Sequence, residues 1–372
     1  MNSGSYNTIL ADEITVELPI VEGQYDVSPF FREVRPGKRS QDEPTWFAYG
    51  PQVRLGLLLL KQQGMITSYE TKNDRIQISF AANATASLTR LLSPPRLLNE
   101  EQLHNPARIA IYVHGLEGSA TTFAELATAL QDDGWFPLKL VYPNDGPIDE
   151  PAKFLRQKLL SIHRQLPNSR IIVIAHSLGG LVAWKVLSEA GDVGVTDLFS
   201  IGVPFQGSSL ARFQQELELI DVFLLALKGK LDAFQILSDG DGEAVEILQP
   251  KSPQRARLLA LPLPPTTKLH LVAGDGGPLD SNEQERIAEM LEQWISKRQP
   301  SPNLARDLRD LIRSPEIYQG RGDGAVTVAS ATGAPYSNSK RIFSHSHTGL
   351  LKTRSEQSEV LLWIKEQLGQ RE

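Results

Sequence analysis

Cysteine is absent from all 372 residues, which excludes disulfides, zinc–thiolate sites and a cysteine nucleophile. That absence fits the cytoplasm and an export route equally well. Long apolar runs are missing too. The strongest clusters, Leu55 to Leu60 and Leu219 to Leu227, fall far short of the ~20 residues that a transmembrane helix needs. Met1 to Leu10 lacks a basic n-region and an apolar h-region, so the chain as given carries no signal peptide. It reads as soluble and cytoplasmic, or as exported if a leader was trimmed. There is no excess of positive charge either. Lys and Arg number 38 against 44 Asp and Glu, a net charge of −6, which argues against nucleic acid as a partner. No internal repeat or low-complexity tract stands out.

The remaining composition, 41% hydrophobic and 22% charged, suits one large α/β domain with an appendage, or two modest domains. Residues 1–105 read as an N-terminal extension of unknown role. Strand-like alternation covers Ile14–Leu18 and Arg75–Phe80, Trp46–Gln63 has the look of an apolar helix, and Pro94-Pro95 with Asn99–Pro106 suggests a linker. From residue 106 to 372, short β runs alternate with helical patterns, the signature of a mostly parallel sheet with helices on both faces. The expected strands are Ile109–Val113, Leu138–Tyr142, Arg170–Ala175, Leu198–Val203, Lys268–Ala273 and Ala325–Ala329. The expected helices lie near Thr121–Gln131, Glu150–Gln165, Leu178–Ala190, Glu283–Lys297, Ala305–Arg313 and Gln357–Leu368. A segment at about 208–265 interrupts the alternation, is too long for an ordinary loop and has helical periodicity of its own. It reads as an insertion.

The chemistry begins at Ile171-Ile172-Val173-Ile174-Ala175-His176-Ser177-Leu178-Gly179-Gly180. A β-branched run breaks into a small residue, a His, a Ser and two glycines, and an amphipathic helix follows. This is the form of a nucleophile elbow, which lifts a serine hydroxyl out of a sheet on a sharp strand-to-helix turn. Such a turn needs small residues two before and two after the serine, and Ala175 and Gly179 supply them.

A serine hydroxyl needs a base, and the base needs an orienting acid. After Ser177 the histidines are His270, His345 and His347. His270 lies in a strand pattern and reads as structural. His345 and His347 share a polar loop, Phe343 to Leu351, ahead of the last helix, and either can serve as base. No third ligand stands at metal-binding distance in sequence from this pair. Asp323 in Gly322-Asp323-Gly324 and Asp275 in Gly274-Asp275-Gly276 compete for the acid, each also suited to a plain turn. Asp323 lies closer to the histidine loop and is preferred. The Arg321-Gly322-Asp323 triplet matches an adhesion tripeptide, a match frequent by chance. Two backbone N–H groups are candidates for the oxyanion hole, that of Leu178 at the start of its helix and that of Leu116 after the apolar strand ending in His114-Gly115. His114 reads as a brace for that loop.

In order, the His114-Gly115-Leu116 loop, the Ser177 elbow, the Gly202–Ser208 run, Gly322-Asp323-Gly324 and His347-Thr348-Gly349-Leu350-Leu351 resemble the α/β-hydrolase fold. Within it they resemble the bacterial lipase and GPI inositol-deacylase-like branch. That branch commonly has Thr-Pro-His-x-Gly-Ser after the elbow's next strand, and here Val203 and Phe205 replace the Thr and the His. The paired leucines after its base favour His347 over His345. The resemblance implies a Ser177–Asp323–His347 triad cleaving carboxylic esters without metal or organic cofactor. It also makes the insertion a lid-like acyl-binding segment. The apolar residues Phe213, Leu217, Ile220, Leu224, Leu227, Leu231 and Phe234 recur there at helical spacing. Phe205, Phe223 and Leu224 are the candidate substrate contacts, with a small-molecule or lipid ester as partner and transient contact with a lipid surface. The alternatives are an acyltransferase using the same acyl-enzyme, and a non-catalytic binding protein on a hydrolase scaffold. The insertion can also be permanent core.

Overall fold

Two units divide the chain, Met1–Pro94 and Pro95–Glu372. The computed structural model describes residues 15–21, 24–26, 47–49, 66–72, 75–80, 95–116, 121–142, 147–211, 244–299, 302–352 and 358–369. In the first unit, β1 (Thr15–Val21), β2 (Gln24–Asp26), β3 (Phe47–Tyr49), β4 (Ile66–Thr71) and β5 (Arg75–Phe80) form an antiparallel sheet in the order β3-β2-β1-β5-β4. Ile76 and Ile78 of β5 are buried while Arg75, Gln77 and Ser79 are half-exposed, the period of two that a one-sided sheet requires. The helix expected at Trp46–Gln63 does not begin there. Phe47-Ala48-Tyr49 alternates aromatic and small residues, which suits a strand, and it pairs with β2. Residues 50–65 lie outside the described residues.

The unit boundary falls after Pro94 rather than after Asn105. The reason is β6 (Arg96–Leu98), which pairs antiparallel with β8 (Phe136–Val141) and so belongs to the second unit's sheet. The remaining strands of that sheet are β7 (Arg108–Val113), β9 (Arg170–His176), β10 (Val195–Ile201), β11 (Lys268–Gly274) and β12 (Ser339–Phe343). The order is β12-β11-β10-β9-β7-β8-β6, parallel throughout except at β6.

Alternation along the buried strands sorts the core into two layers. Ile109, Ile111, Val113, Ile171, Val173 and Ala175 face one layer, Ala110, Tyr112, Ile172 and Ile174 the other. The first layer is covered by α2 (Asp149–Gln165) and α3 (Leu178–Ala190), the second by α1 (Ala124–Asp132) and α9 (Glu359–Gln367). The other described helices are α4 (Ala244–Leu248), α5 (Pro253–Leu259), α6 (Ser281–Arg298), α7 (Pro302–Ile312) and α8 (Val328–Ala331). Helices α6 and α7 build a separate apolar cluster, in which Ile287 and Leu291 of one meet Leu308 and Leu311 of the other.

The strand expected at Ala325–Ala329 is instead a tight turn leading into α8, with Thr327 capping the helix through Ser330 N–H. The true last strand, Ser339–Phe343, has an exposed Lys-Arg-Ile centre. It lies at the sheet edge, where charge blocks further pairing, and so lacks the apolar signal of a buried strand.

One polar chain laces four strands together. Asp197 in β10 accepts from Arg170 of β9 (2.9 Å) and pairs with His270 Nε2 of β11 (3.0 Å), while His270 Nδ1 meets Ser339 Oγ of β12 (2.8 Å). His270 is thus a structural histidine. Burial alone would raise the Asp197 carboxyl, but the hydrogen bonds from His270, Thr196 and Arg170 outweigh it and hold the group at about 2. Its stabilisation is present above the ordinary value of 3.8 and is lost as pH falls toward the folded value. Asp197→Ala is expected to cost about 3–5 kcal/mol, because it leaves the buried His270 without its partner. Urea unfolding at neutral pH measures this, and a loss below about 1 kcal/mol, the range of an exposed pair, would contradict the role.

Candidate active site

The chain order reverses direction between β7 and β9: β7 leads outward to β8, whereas β9 leads to β10 on the other side. Ligands of open α/β sheets bind outside the carboxyl ends of the strands at such a switch. The two segments that end there are the His114-Gly115-Leu116 loop and the Ser177 turn.

Ser177 has φ 52° and ψ −129°, a conformation that costs a non-glycine residue about 1–3 kcal/mol. It stands between the end of β9 and the first turn of α3. The strain is sustained by very close packing around the turn. A methyl group on Gly179 would lie 2.3 Å from the His114 carbonyl oxygen, and one on Gly115 would lie 2.6 Å from Ser177 Cβ. Only residues without a β-carbon allow the loop, the serine and the helix start to meet. Leu178 opens α3, so its N–H belongs to the four amides that find no acceptor within the helix. Leu116 is half-buried in the turn directly after Gly115.

Hydrogen bonds step across the carboxyl edge of the sheet. Ser177 N–H donates to Ile201 O (3.0 Å), Gly202 N–H to Val272 O (2.8 Å) and Asp275 N–H to Phe343 O (3.0 Å). Above this edge lies His347. Its ring occupies the space over Gly202, where a β-carbon would come within 3.0 Å of it, and Gly202 has φ +58°. His347 Nδ1 is 2.8 Å from Asp323 Oδ2, with both side chains fully buried. Asp323 Oδ1 accepts from the N–H groups of Ala325 (2.9 Å) and Val326 (2.7 Å). The carboxylate therefore receives a fixed set of donors, and Nδ1 is the protonated ring nitrogen. Nε2 keeps its lone pair, is buried and has no hydrogen-bond partner among the described residues.

The other candidates have different partners. His345 stacks on Phe343 at 6.4 Å, and its carbonyl accepts from Gly276 N–H at 3.1 Å. Asp275 is half-exposed, and its carbonyl accepts from Gly320 N–H at 2.7 Å. Burial of Asp323 also removes the Arg-Gly-Asp triplet as a surface ligand. Phe205 is 2% exposed and packs edge-on against Trp184 at 5.7 Å, part of the core. Phe223 and Leu224, with the whole Phe213–Phe234 stripe, lie outside the described residues.

Several contributors escaped the sequence reading. Ser208 Oγ donates to the Ala325 carbonyl (2.7 Å), while buried Glu316 accepts from Ser209 N–H (2.6 Å) and Ser209 Oγ (2.7 Å). The Glu316 carbonyl accepts from Gly324 N–H (2.8 Å). These bonds clamp the Asp323 turn to the segment where the insertion begins. Buried Arg255 binds four carbonyls, those of Phe205 (3.1 Å), Gln206 (2.8 Å), Gln249 (2.7 Å) and Ile247. It joins the return of the insertion to the Gly202–Ser208 run. Only that run carried a signal, through the resemblance. Glu316 and Arg255 sit in unremarkable sequence; Glu316 meets Ser209 from far along the chain, and the Arg255 guanidinium meets backbone carbonyls.

Two further histidines crowd the site. His114 stacks on Tyr142 (4.4 Å) and its Nδ1 meets Gly115 O (2.9 Å), which makes it the brace of the loop. Burial pushes His114 down to about 4, and burial together with the neighbouring His347 pushes His176 well below 6.5. Both are neutral at neutral pH.

No family model and no curated protein matches this chain. Among solved structures, a mature lipase of Bacillus licheniformis is 19% identical, covering 74% of this chain and 97% of its own, with TM-score 0.48. A phospholipase of Legionella pneumophila is 16% identical over 69% of this chain and 59% of its own, TM-score 0.47. A metagenomic carboxyl esterase is 16% identical over 71% and 77%, TM-score 0.43. The mostly parallel sheet with helices on both faces, as expected from the sequence, stands on this chain's own strand order. Among the described residues no helix is long and apolar enough to cross a membrane.

The depressed histidines give the native state a pH-dependent stability. Their folded values lie below the unfolded one, so the stabilisation is complete above about 6.5. It declines as pH falls toward the folded values, because the unfolded chain takes up protons first. For His114 alone this amounts to about 3 kcal/mol between pH 7 and 4. Urea midpoints across that range should fall steadily, and His114→Phe should flatten the slope. An unchanged slope would contradict burial of a neutral His114.

Proposed function

We propose that this chain is a serine hydrolase of carboxylic esters. The observations that carry the reading are the strained serine at the switch point and, against the preceding residue His176, a buried histidine whose Nδ1 is committed to Asp323 and whose Nε2 is unpartnered among the described residues. In this reading His347 Nε2 takes the hydroxyl proton as Ser177 Oγ attacks the acyl carbon. The N–H groups of Leu116 and Leu178 stabilise the oxyanion. Losing one such donor typically costs about 2.7–4 kcal/mol. The imidazolium returns the proton to the leaving alcohol, and Asp323 stabilises its charge. A water deprotonated by His347 then attacks the acyl-enzyme, and Ser177 leaves with the proton. The chemistry draws on side chains and backbone of this chain throughout.

Turnover of a simple ester tests the roles. Ser177→Ala should abolish it, a loss on the order of 10⁶ in another serine hydrolase, and His347→Ala should be comparably damaging. Asp323→Asn should cost far more than Asp275→Asn, since only the true partner fixes the tautomer, and His345→Ala should change little. Undiminished turnover in Ser177→Ala would refute the assignment.

The insertion bears on substrate class. Ser208 N–H donates to Leu248 O at 2.9 Å, which joins the described segments on either side of residues 212–243. With their apolar stripe, this supports an acyl-binding role and a lipid-like ester. Leu224→Gln and Phe223→Ser should then impair long-chain esters more than acetates, at about 0.8 kcal/mol per buried methylene. Equal loss on all esters with a large drop in melting temperature would show packed core instead.

A further inference from the structure

His176, the residue before the nucleophile, is the one buried histidine whose place in the reaction is unassigned. Period-two alternation along β9 puts its side chain on the face of Ile172 and Ile174, the side on which His347 lies. Its Nε2 is 3.1 Å from the His347 carbonyl oxygen, and the two rings are 4.4 Å apart. A carbonyl can only accept, so Nε2 carries the proton.

His347 is therefore held by three bonds. Its N–H donates to Asp323 O (2.8 Å), its Nδ1 to Asp323 Oδ2 (2.8 Å), and its carbonyl accepts from His176. The first two tie it to the acid turn. The third alone ties it to the segment that carries Ser177, one peptide bond away. We infer that His176 is a positioning residue, a neutral donor that sets the register between the nucleophile elbow and the base by binding the base's own carbonyl. The role demands two properties together. The side chain must donate to the carbonyl, and it must stay uncharged, because the imidazolium that forms on His347 lies against it. A neutral imidazole meets both, whereas a lysine or arginine would donate but repel.

This inference rests on the proposed role of His347 and deepens it. The test compares His176→Gln and His176→Met, side chains of similar length that differ in having a donor. Kinetics are measured with a simple ester, and melting curves verify folding. His176→Met should lose about 10- to 100-fold in kcat, the scale of a misplacement near 1 Å, with KM unchanged within about twofold. His176→Gln should recover kcat to within about threefold of the parent. Equal kcat in the two variants, whether both high or both low, would overturn the tether. So would a loss confined to KM. An inactive parent protein would instead refute the hydrolase reading itself, so the two failures are distinguishable.

Discussion

Ser177 can hold its strained backbone only because three segments pack against it without β-carbons in the way. The end of β7, the elbow and the first turn of α3 converge at Gly115 and Gly179, within distances that no other residue tolerates. The strain, on the order of 1–3 kcal/mol, is small beside the burial that opposes its release. Ile172, Val173, Ile174 and Ala175 lead into the turn, and Leu178, Leu181 and Val182 lead out of it, all with essentially no exposure. A relaxed turn would have to pull the strand or the helix out of the core. The hydroxyl's position follows from that packing.

Asp323 and His347 are positioned by a different device, a net of hydrogen bonds rather than apolar contact. Asp323 is fixed by the amides of its own turn, the turn by Glu316 and Ser208, and His347 by Asp323 and His176. Each link is buried, so each missing partner would leave an uncompensated polar group, at about 1–3 kcal/mol. The same net anchors the two ends of the insertion. Glu316 binds Ser209 at the outgoing end, and Arg255 binds Ile247 and Gln249 at the returning end. Anything that displaces those ends acts on the Asp323 turn through shared atoms.

The strained strand-to-helix turn at Ser177 was legible in sequence because strain and close approach leave residue-type signatures on adjacent positions, and buried parallel strands were legible because both faces are apolar. The choice between His345 and His347 was not legible from the residues alone. Both sit in one polar loop, and only contact with Asp323, 24 residues earlier in the chain, separates them. Strand β12 hid behind its exposed Lys340 and Arg341, and a β-branched run at Ala325–Val328 mimicked a strand while forming a turn around the Asp323 carboxylate. Phe205 stands where the resembling family has a His, and in this chain it packs on Trp184. Arg255 acts on carbonyls, and Glu316 on an amide and a serine hydroxyl, groups too common for any sequence pattern to mark them.

The central claim is that one serine among the chain's many has been made nucleophilic. Reaction with a fluorophosphonate followed by peptide mass mapping tests it most directly. The account predicts a single adduct on Ser177 that requires the folded protein and disappears when His347 is replaced by alanine. An adduct elsewhere, or none on the folded parent protein, would contradict it.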